Sequence, residues 1–268
     1  MVSLLLLAVL MLMAAEAPDV TGLPLTGDEA VAFLEHAEVV GQPEGFDAVA
    51  ITEPVRVTLS DGERTLRAIF KDEDTLYPSF RFGDGREVDR VHDSYTHEIA
   101  AFELDRMLDL GLVPPCVART LFGHRGALCL WVENAMNEAD RRQRELEPPD
   151  RVAWGGRVAL VRVFQQLISD QDYSNIRNIL VDGNFQAYKV DSSMAFRGDR
   201  RLLDERRLTR FSRSFLAALE SLDRAELERR LEPWLIKREL KALWARRDRL
   251  LELARERIAE HGEAAVLF

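Results

Sequence analysis

The chain has 268 residues, with 46 Asp+Glu against 36 Lys+Arg and a formal net charge of −10. That length is ample for a sizeable core in one domain or a two-lobed unit, and 47% hydrophobic with 31% charged residues excludes a disordered or collagen-like chain. The acid excess argues against a nucleic-acid-coating role, which depends on Lys and Arg at phosphates, and two cysteines cannot build a disulfide scaffold or a four-thiolate metal site.

Leu4 to Met13 is an unbroken apolar run of ten residues, followed by Ala14-Ala15-Glu16-Ala17. The run is too short for a membrane-spanning helix, which needs about 20 residues. Its small-residue end before Pro18 reads as a signal peptide over residues 1–17 and predicts export to a periplasm, a secretory lumen or the extracellular space. Cys116 and Cys129, thirteen positions apart, fit one disulfide in such a compartment and fit two reduced core thiols as well.

Thr26-Gly27-Asp28-Glu29 has a capping-box pattern and opens a helix through about Ala37. The glycines and proline of residues 41–45 then read as a loop. Val55 to Leu59 alternates, Ser60-Asp61-Gly62-Glu63 turns, and Leu66 to Lys71 runs back, which predicts a hairpin. Residues 72–89 are polar and glycine-containing, and read as a loop. A helix follows from Asp93 or Ser94 to about Leu110, stopped by Gly111 and Pro114-Pro115. Two short strands are expected near Val117–Leu121 and Ala127–Val132, then a charged surface segment from Glu138 to Asp150. Val158, Val161, Phe164, Gln165 and Ile168 trace a helical face. After a polar loop at residues 169–178, Ile179–Val181 and Phe185–Val190 form a second hairpin around Asp182-Gly183-Asn184. From Leu208 onward the pattern is helical, broken at Pro233, with Leu240, Trp244, Leu251 and Ile258 on one stripe.

The chemistry-bearing residues are spread over 120 positions. Lys71 ends an apolar strand, Glu98 lies in the first turns of the next helix, Asp172 and Asn178 share a polar loop, and Asp191 ends the strand after it. Phosphoryl transfer uses these group types. A Lys positions nucleotide phosphates, a Glu orients the Lys, an Asp sits at the attacking hydroxyl, and an Asn with a second Asp holds divalent metal.

In the stretches Val57–Gly62, Ala68–Lys71, Glu98–Arg106, Asp172–Leu180 and Lys189–Phe196, the sequence resembles the atypical branch of the protein-kinase-like superfamily. That branch includes phosphoinositide-kinase-like proteins and the secretory-pathway kinases related to four-jointed and the Golgi casein kinase. The resemblance implies an α+β, two-lobed fold, with an N-lobe over residues 18–133 and a helical C-lobe over 134–268. It implies an ATP- and Mg²⁺- or Mn²⁺-dependent phosphotransferase acting on a hydroxyl of a protein, carbohydrate or lipid headgroup, or else an inactive pseudokinase or secreted interaction module. In this reading Lys71 contacts phosphate and Glu98 is its partner. Asp172 is catalytic, Asn178 and Asp191 bind metal, and backbone near Val132 meets the adenine.

The sequence departs from the family pattern in places. Asp172 and Asn178 are six apart where five is usual, and Asp170 with Asn175 satisfies that spacing, so the two aspartates stay open. Neither His-Arg-Asp nor Asp-Phe-Gly occurs, and Gly41 and Gly45 are the only glycines just before Val55. Arg200, Arg201, Arg206, Arg207 and Arg210 read as a solvated face, with recognition of an acidic substrate as the rival reading. His92 and His97 flank a helix start without a cysteine or HExxH context and are not read as metal ligands.

Overall fold

The computed structural model describes residues 21–45 and 54–268. The apolar run and the signal-peptide expectation lie outside the described residues, as does the segment just before Val55. Among the described residues no helix is long and apolar enough to cross a membrane.

Period-two patterning builds the first layer. Strands β1 (Glu38–Gly45), β2 (Val55–Ser60), β3 (Thr65–Lys71), β6 (Cys116–Leu121) and β7 (His124–Leu130) form one antiparallel sheet in the order β1-β2-β3-β7-β6. In β3 the residues Leu66, Ala68 and Phe70 are buried while Arg67, Ile69 and Lys71 are half-buried on the other face. The buried face packs against Ala30, Phe33 and Leu34 of helix α1 (Gly27–His36). Each fully buried Leu or Phe there stabilises the fold by about 1.5–3 kcal/mol. Lys71 thereby points away from α1.

Three sequence expectations are corrected. Residues 38–45 are a strand, not a loop, because Val39 and Val40 pair with β2 before a register shift absorbs the glycine- and proline-bearing stretch and pairing resumes at Glu44. Residues 72–89 are not a loop either: β4 (Asp74–Arg81) and β5 (Glu87–Ser94) form a two-stranded ribbon joined at a turn containing Gly85. No residue of β4 is fully buried, and burial in β5 is confined to its last residues, so only a weak alternation marks the ribbon in the sequence. The charged segment after residue 137 holds a helix, α3 (Glu138–Gln143), whose Glu138 and Arg141 are buried as a pair at 2.6 Å.

Helix α2 (Tyr95–Leu108) starts at Ser94, whose hydroxyl accepts from Thr96 N–H, and ends at Asp109 in the left-handed region. Its apolar residues join helix α4 (Arg151–Ile168) and the C-terminal helices α5 (Arg213–Ser221), α6 (Arg224–Leu231), α7 (Lys237–His261) and α8 (Glu263–Val266) in the larger core. A small sheet of β8 (Met136–Asn137), β9 (Ile179–Val181) and β10 (Ala187–Lys189), in the order β10-β9-β8, lies beside α4, and its β9–β10 hairpin follows the polar loop. The result is mixed α/β with a strand-rich part and a helical part, as expected for two lobes. Cys116 and Cys129 face each other across β6 and β7 with Cα atoms 4.0 Å apart and form a disulfide.

Candidate active site

Five of the six expected site residues fall into two hydrogen-bonded groups. Lys71 Nζ lies 2.6 Å from Glu98 Oε1 and 2.8 Å from Asp191 Oδ1. Strand alternation, helix capping and the end of the second hairpin deliver these three groups independently. Lys71 is last on the free face of β3, Glu98 is in the first turn of α2, and Asp191 is two residues beyond β10. The other oxygen of Glu98 accepts from Ser192 N–H at 3.0 Å, so the glutamate ties the helix to the chain beside Asp191. The Lys71 ammonium beside Asp191 holds its carboxyl below the usual range, and the two carboxylates raise Lys71, overcoming its burial.

In the polar loop, Asp172 Oδ2 accepts from Asn175 Nδ2 at 2.8 Å and from Asn178 Nδ2 at 3.0 Å. Burial, reinforced by the negative charges of Asp170 and Asp191, pushes the Asp172 carboxyl up to about 6, against the lowering effect of its bond from Asn175. Val190 N–H donates to Asn178 O at 3.0 Å, which joins the loop to the segment carrying Asp191.

Asp170, the rival to Asp172, has a different place. It is fully buried, 3.1 Å from Lys189 Nζ, and it accepts from Gln165 Nε2 and from the backbone N–H of Asp172. All its contacts face inward, whereas Asp172 is only partly buried. Asp191 has φ 58, a left-handed conformation uncommon for any residue but glycine. Backbone strain of this kind costs about 1–3 kcal/mol and concentrates at functional sites.

The donor set offered here is of the oxygen type that Mg²⁺ and Mn²⁺ take. Asp191 and Asn178 offer oxygen atoms, and the buried carboxylate of Asp93, which sequence reasoning missed, has an Oδ1 with no hydrogen-bond partner. Asp93 is pushed up to about 6 by burial, with the charge of Asp191 adding to it. An unpaired buried carboxylate oxygen beside other acids is what a cation would satisfy. The only signal for Asp93 in the sequence is its position just before a helix start, which suits a cap as well.

Val132, the expected adenine neighbour, is buried just after β7 and joins neither group. Trp131 N–H donates to Arg67 O at 3.0 Å, and Glu133 exchanges both backbone hydrogen bonds with Gly22 at 2.9 and 2.8 Å. Gly22 has φ 88, and a Cβ there would meet Asp182 Oδ2 at 2.6 Å, so only glycine lets the two segments approach. The basic stretch is largely neutralised locally. Arg201 pairs with Asp199, and both Arg206 and Arg207 pair with Asp204.

A strand-rich lobe with one lysine on its free sheet face, a glutamate from the following helix and a polar loop preceding a small hairpin define the protein-kinase-like class of fold. Solved structures agree. Hydra Fam20, determined with sugar, superposes with a TM-score of 0.65 at 16% identity, over 91% of this chain and 93% of that one. The Helicobacter pylori proinflammatory kinase CtkA gives 0.54 at 11% identity, over 85% and 98%. The likeness is one of fold. No protein-family model matches the sequence, and no curated protein does.

Proposed function

We propose that the protein is an exported phosphotransferase that uses ATP and Mg²⁺ or Mn²⁺ to phosphorylate a hydroxyl. The observation that carries this reading is the Lys71 ammonium held between Glu98 and Asp191, at 2.6 and 2.8 Å. Lys71, oriented by Glu98, is poised to contact nucleotide phosphates. Asp191 and Asn178, with Asp93 close by, would hold the cation, which when bound neutralises charge on the transferring phosphoryl group. Asp172 orients the acceptor hydroxyl and takes its proton, while Asn175 and Asn178 fix its carboxylate. Asp170 acts through Asp172, whose backbone it holds.

The acceptor belongs to a protein, a carbohydrate or a lipid headgroup; the sugar in the hydra Fam20 structure makes carbohydrate the first class to assay. Export is supported by the Cys116–Cys129 disulfide, since cross-strand disulfides persist in oxidising compartments, and it requires a compartment that supplies ATP. A non-catalytic interaction module is the second reading. It is favoured by one observation: Gly22 occupies the backbone groups of Glu133, beside the expected base-binding segment.

Thermal shift with ATP and Mn²⁺ or Mg²⁺ separates the two. The native chain should melt about 5 °C higher with both ligands at saturation, Asp191→Ala should lose the metal-dependent part, and Asp172→Ala should keep the shift while losing phosphoryl transfer. No metal-dependent shift at millimolar ATP sinks the enzyme reading. Loss of transfer in Asp170→Asn with Asp172→Ala still active would show that the wrong aspartate was assigned.

A further inference from the structure

A second cluster of ligating side chains lies outside the Lys71–Asp191 group. His92 lies near the end of β5, His97 is in the first turn of α2, and Glu239 is in the first turn of α7, some 140 positions later in the chain. One ligand atom from each lies within 4.8 Å of the other two. The three line one cavity of about 290 Å³, whose wall also includes Arg197 and Arg238.

The surroundings of each ring are those of a metal ligand. His97 is 2% exposed, and its Nδ1 lies 2.7 Å from Ser193 O. A carbonyl can only accept, so Nδ1 carries the hydrogen and Nε2 presents a lone pair. That lone pair faces Glu239 Oε1 at 3.9 Å, which is too long for a hydrogen bond and offers it no donor. His92 Nε2 lies 2.7 Å from Asp74 Oδ1, so it donates there, and Nδ1 is the ring nitrogen left to meet a cation. Glu239 Oε2 accepts from Ile236 N–H at 3.0 Å, which leaves Oε1 for another partner. Ring N–H groups held by a carbonyl and a carboxylate are the outer contacts that orient metal-binding histidines.

We propose that His92, His97 and Glu239 form a binding site for a zinc-class divalent cation, distinct from the magnesium- or manganese-binding group at Asp191. Two imidazoles and one carboxylate suit zinc, whose bonds of about 2.0–2.2 Å place tetrahedral ligand atoms roughly 3.3–3.5 Å apart. Binding would require the present spacing, within 4.8 Å, to close to that value by movement of the half-exposed His92 and of Glu239. A fourth position opens to the cavity, where a water or an anion would sit opposite Arg197 and Arg238. The bound ion would join the β5–α2 corner to the start of α7. Through His97 it would also hold Ser193, two residues after Asp191. This site stands independently of the phosphotransferase reading.

The test uses the full chain with its disulfide intact, stripped by chelator and titrated with Zn²⁺, and separately with Co²⁺. The expected result is one equivalent bound per chain, a melting rise of about 5 °C with Zn²⁺, and the visible absorption of tetrahedral Co²⁺. His92→Ala and Glu239→Gln should each weaken Zn²⁺ binding by about 100-fold with unchanged circular dichroism, and Asp191→Ala should leave it intact. The glutamine keeps an oxygen for Ile236 N–H, so a folding defect is not built into that variant. Wild-type protein that stays folded and binds neither ion at micromolar concentration overturns the proposal. So does Zn²⁺ binding that survives both variants and disappears in Asp191→Ala.

Discussion

Two lysine–aspartate pairs lie close together, one in the cleft and one in the core beneath it. In the cleft, Lys71 meets a half-exposed Asp191 at 2.8 Å and shares itself with Glu98. In the core, Lys189 and Asp170 are both fully buried at 3.1 Å, and their other side-chain partners are near them in the chain. Lys189 Nζ donates to the carbonyls of Val190 and Asp191, and Asp170 accepts from the N–H of Asp172. The core pair therefore fixes the backbones of both candidate site aspartates. The same two residue types serve opposite ends because of burial. A pair with one open side can take a ligand, and a pair with none can only hold the chain in place.

Removing one partner of each pair should separate the roles. Lys189→Met strands a buried carboxylate and should cost about 3–5 kcal/mol in denaturant unfolding. Adding Asp170→Asn should restore most of that loss. If the single and double variants are equally unstable, the core pair is not the buttress described. Lys71→Met should cost less, about 1–2 kcal/mol in metal-free buffer, because solvent reaches Asp191 and Ser192 still bonds Glu98. Its larger effect should be loss of the nucleotide-dependent melting shift. A stability loss equal to that of Lys189→Met would erase the contrast between the two regions.

A different, pH-dependent effect should come from a lone buried acid without a lysine. Burial pushes Asp105, at the end of α2, up to about 7, although it accepts from Leu112 N–H at 2.9 Å. Its folded form binds a proton more tightly than the unfolded chain, whose aspartates titrate near 3.9. Its contribution is thus fully present below about pH 4 and is lost as pH rises through about 7. Asp105→Asn should flatten the stability profile between pH 4 and pH 7, read as melting temperature against pH. An unchanged slope would show that Asp105 is ionised in the native protein.

Much of the fold was legible where one face of an element is buried and the other is not. The alternation of Leu66, Ala68 and Phe70 marks β3, and Ser94 followed by an apolar run marks α2. The β4–β5 ribbon was not legible, because β4 buries no residue and β5 buries only its end, so the periodic signal is weak. The short helix α3 was hidden for a related reason, since its buried Glu138 and Arg141 satisfy each other and read as surface charge.

For the candidate site, the sequence by itself determined the order and spacing of Lys71, Glu98, Asp172, Asn178 and Asp191, since strand ends and helix starts are local properties. It could not choose between Asp170 and Asp172, two positions apart in one loop. The tertiary structure gives them different surroundings, burying Lys189 against the first and leaving the second beside Asn178, and the choice of Asp172 is proposed from that difference. It alone also brought Asp93 to the cleft and Glu239 to His92 and His97. Burial and long-range approach depend on which faces pack together, and no local pattern encodes the partner across a hundred residues.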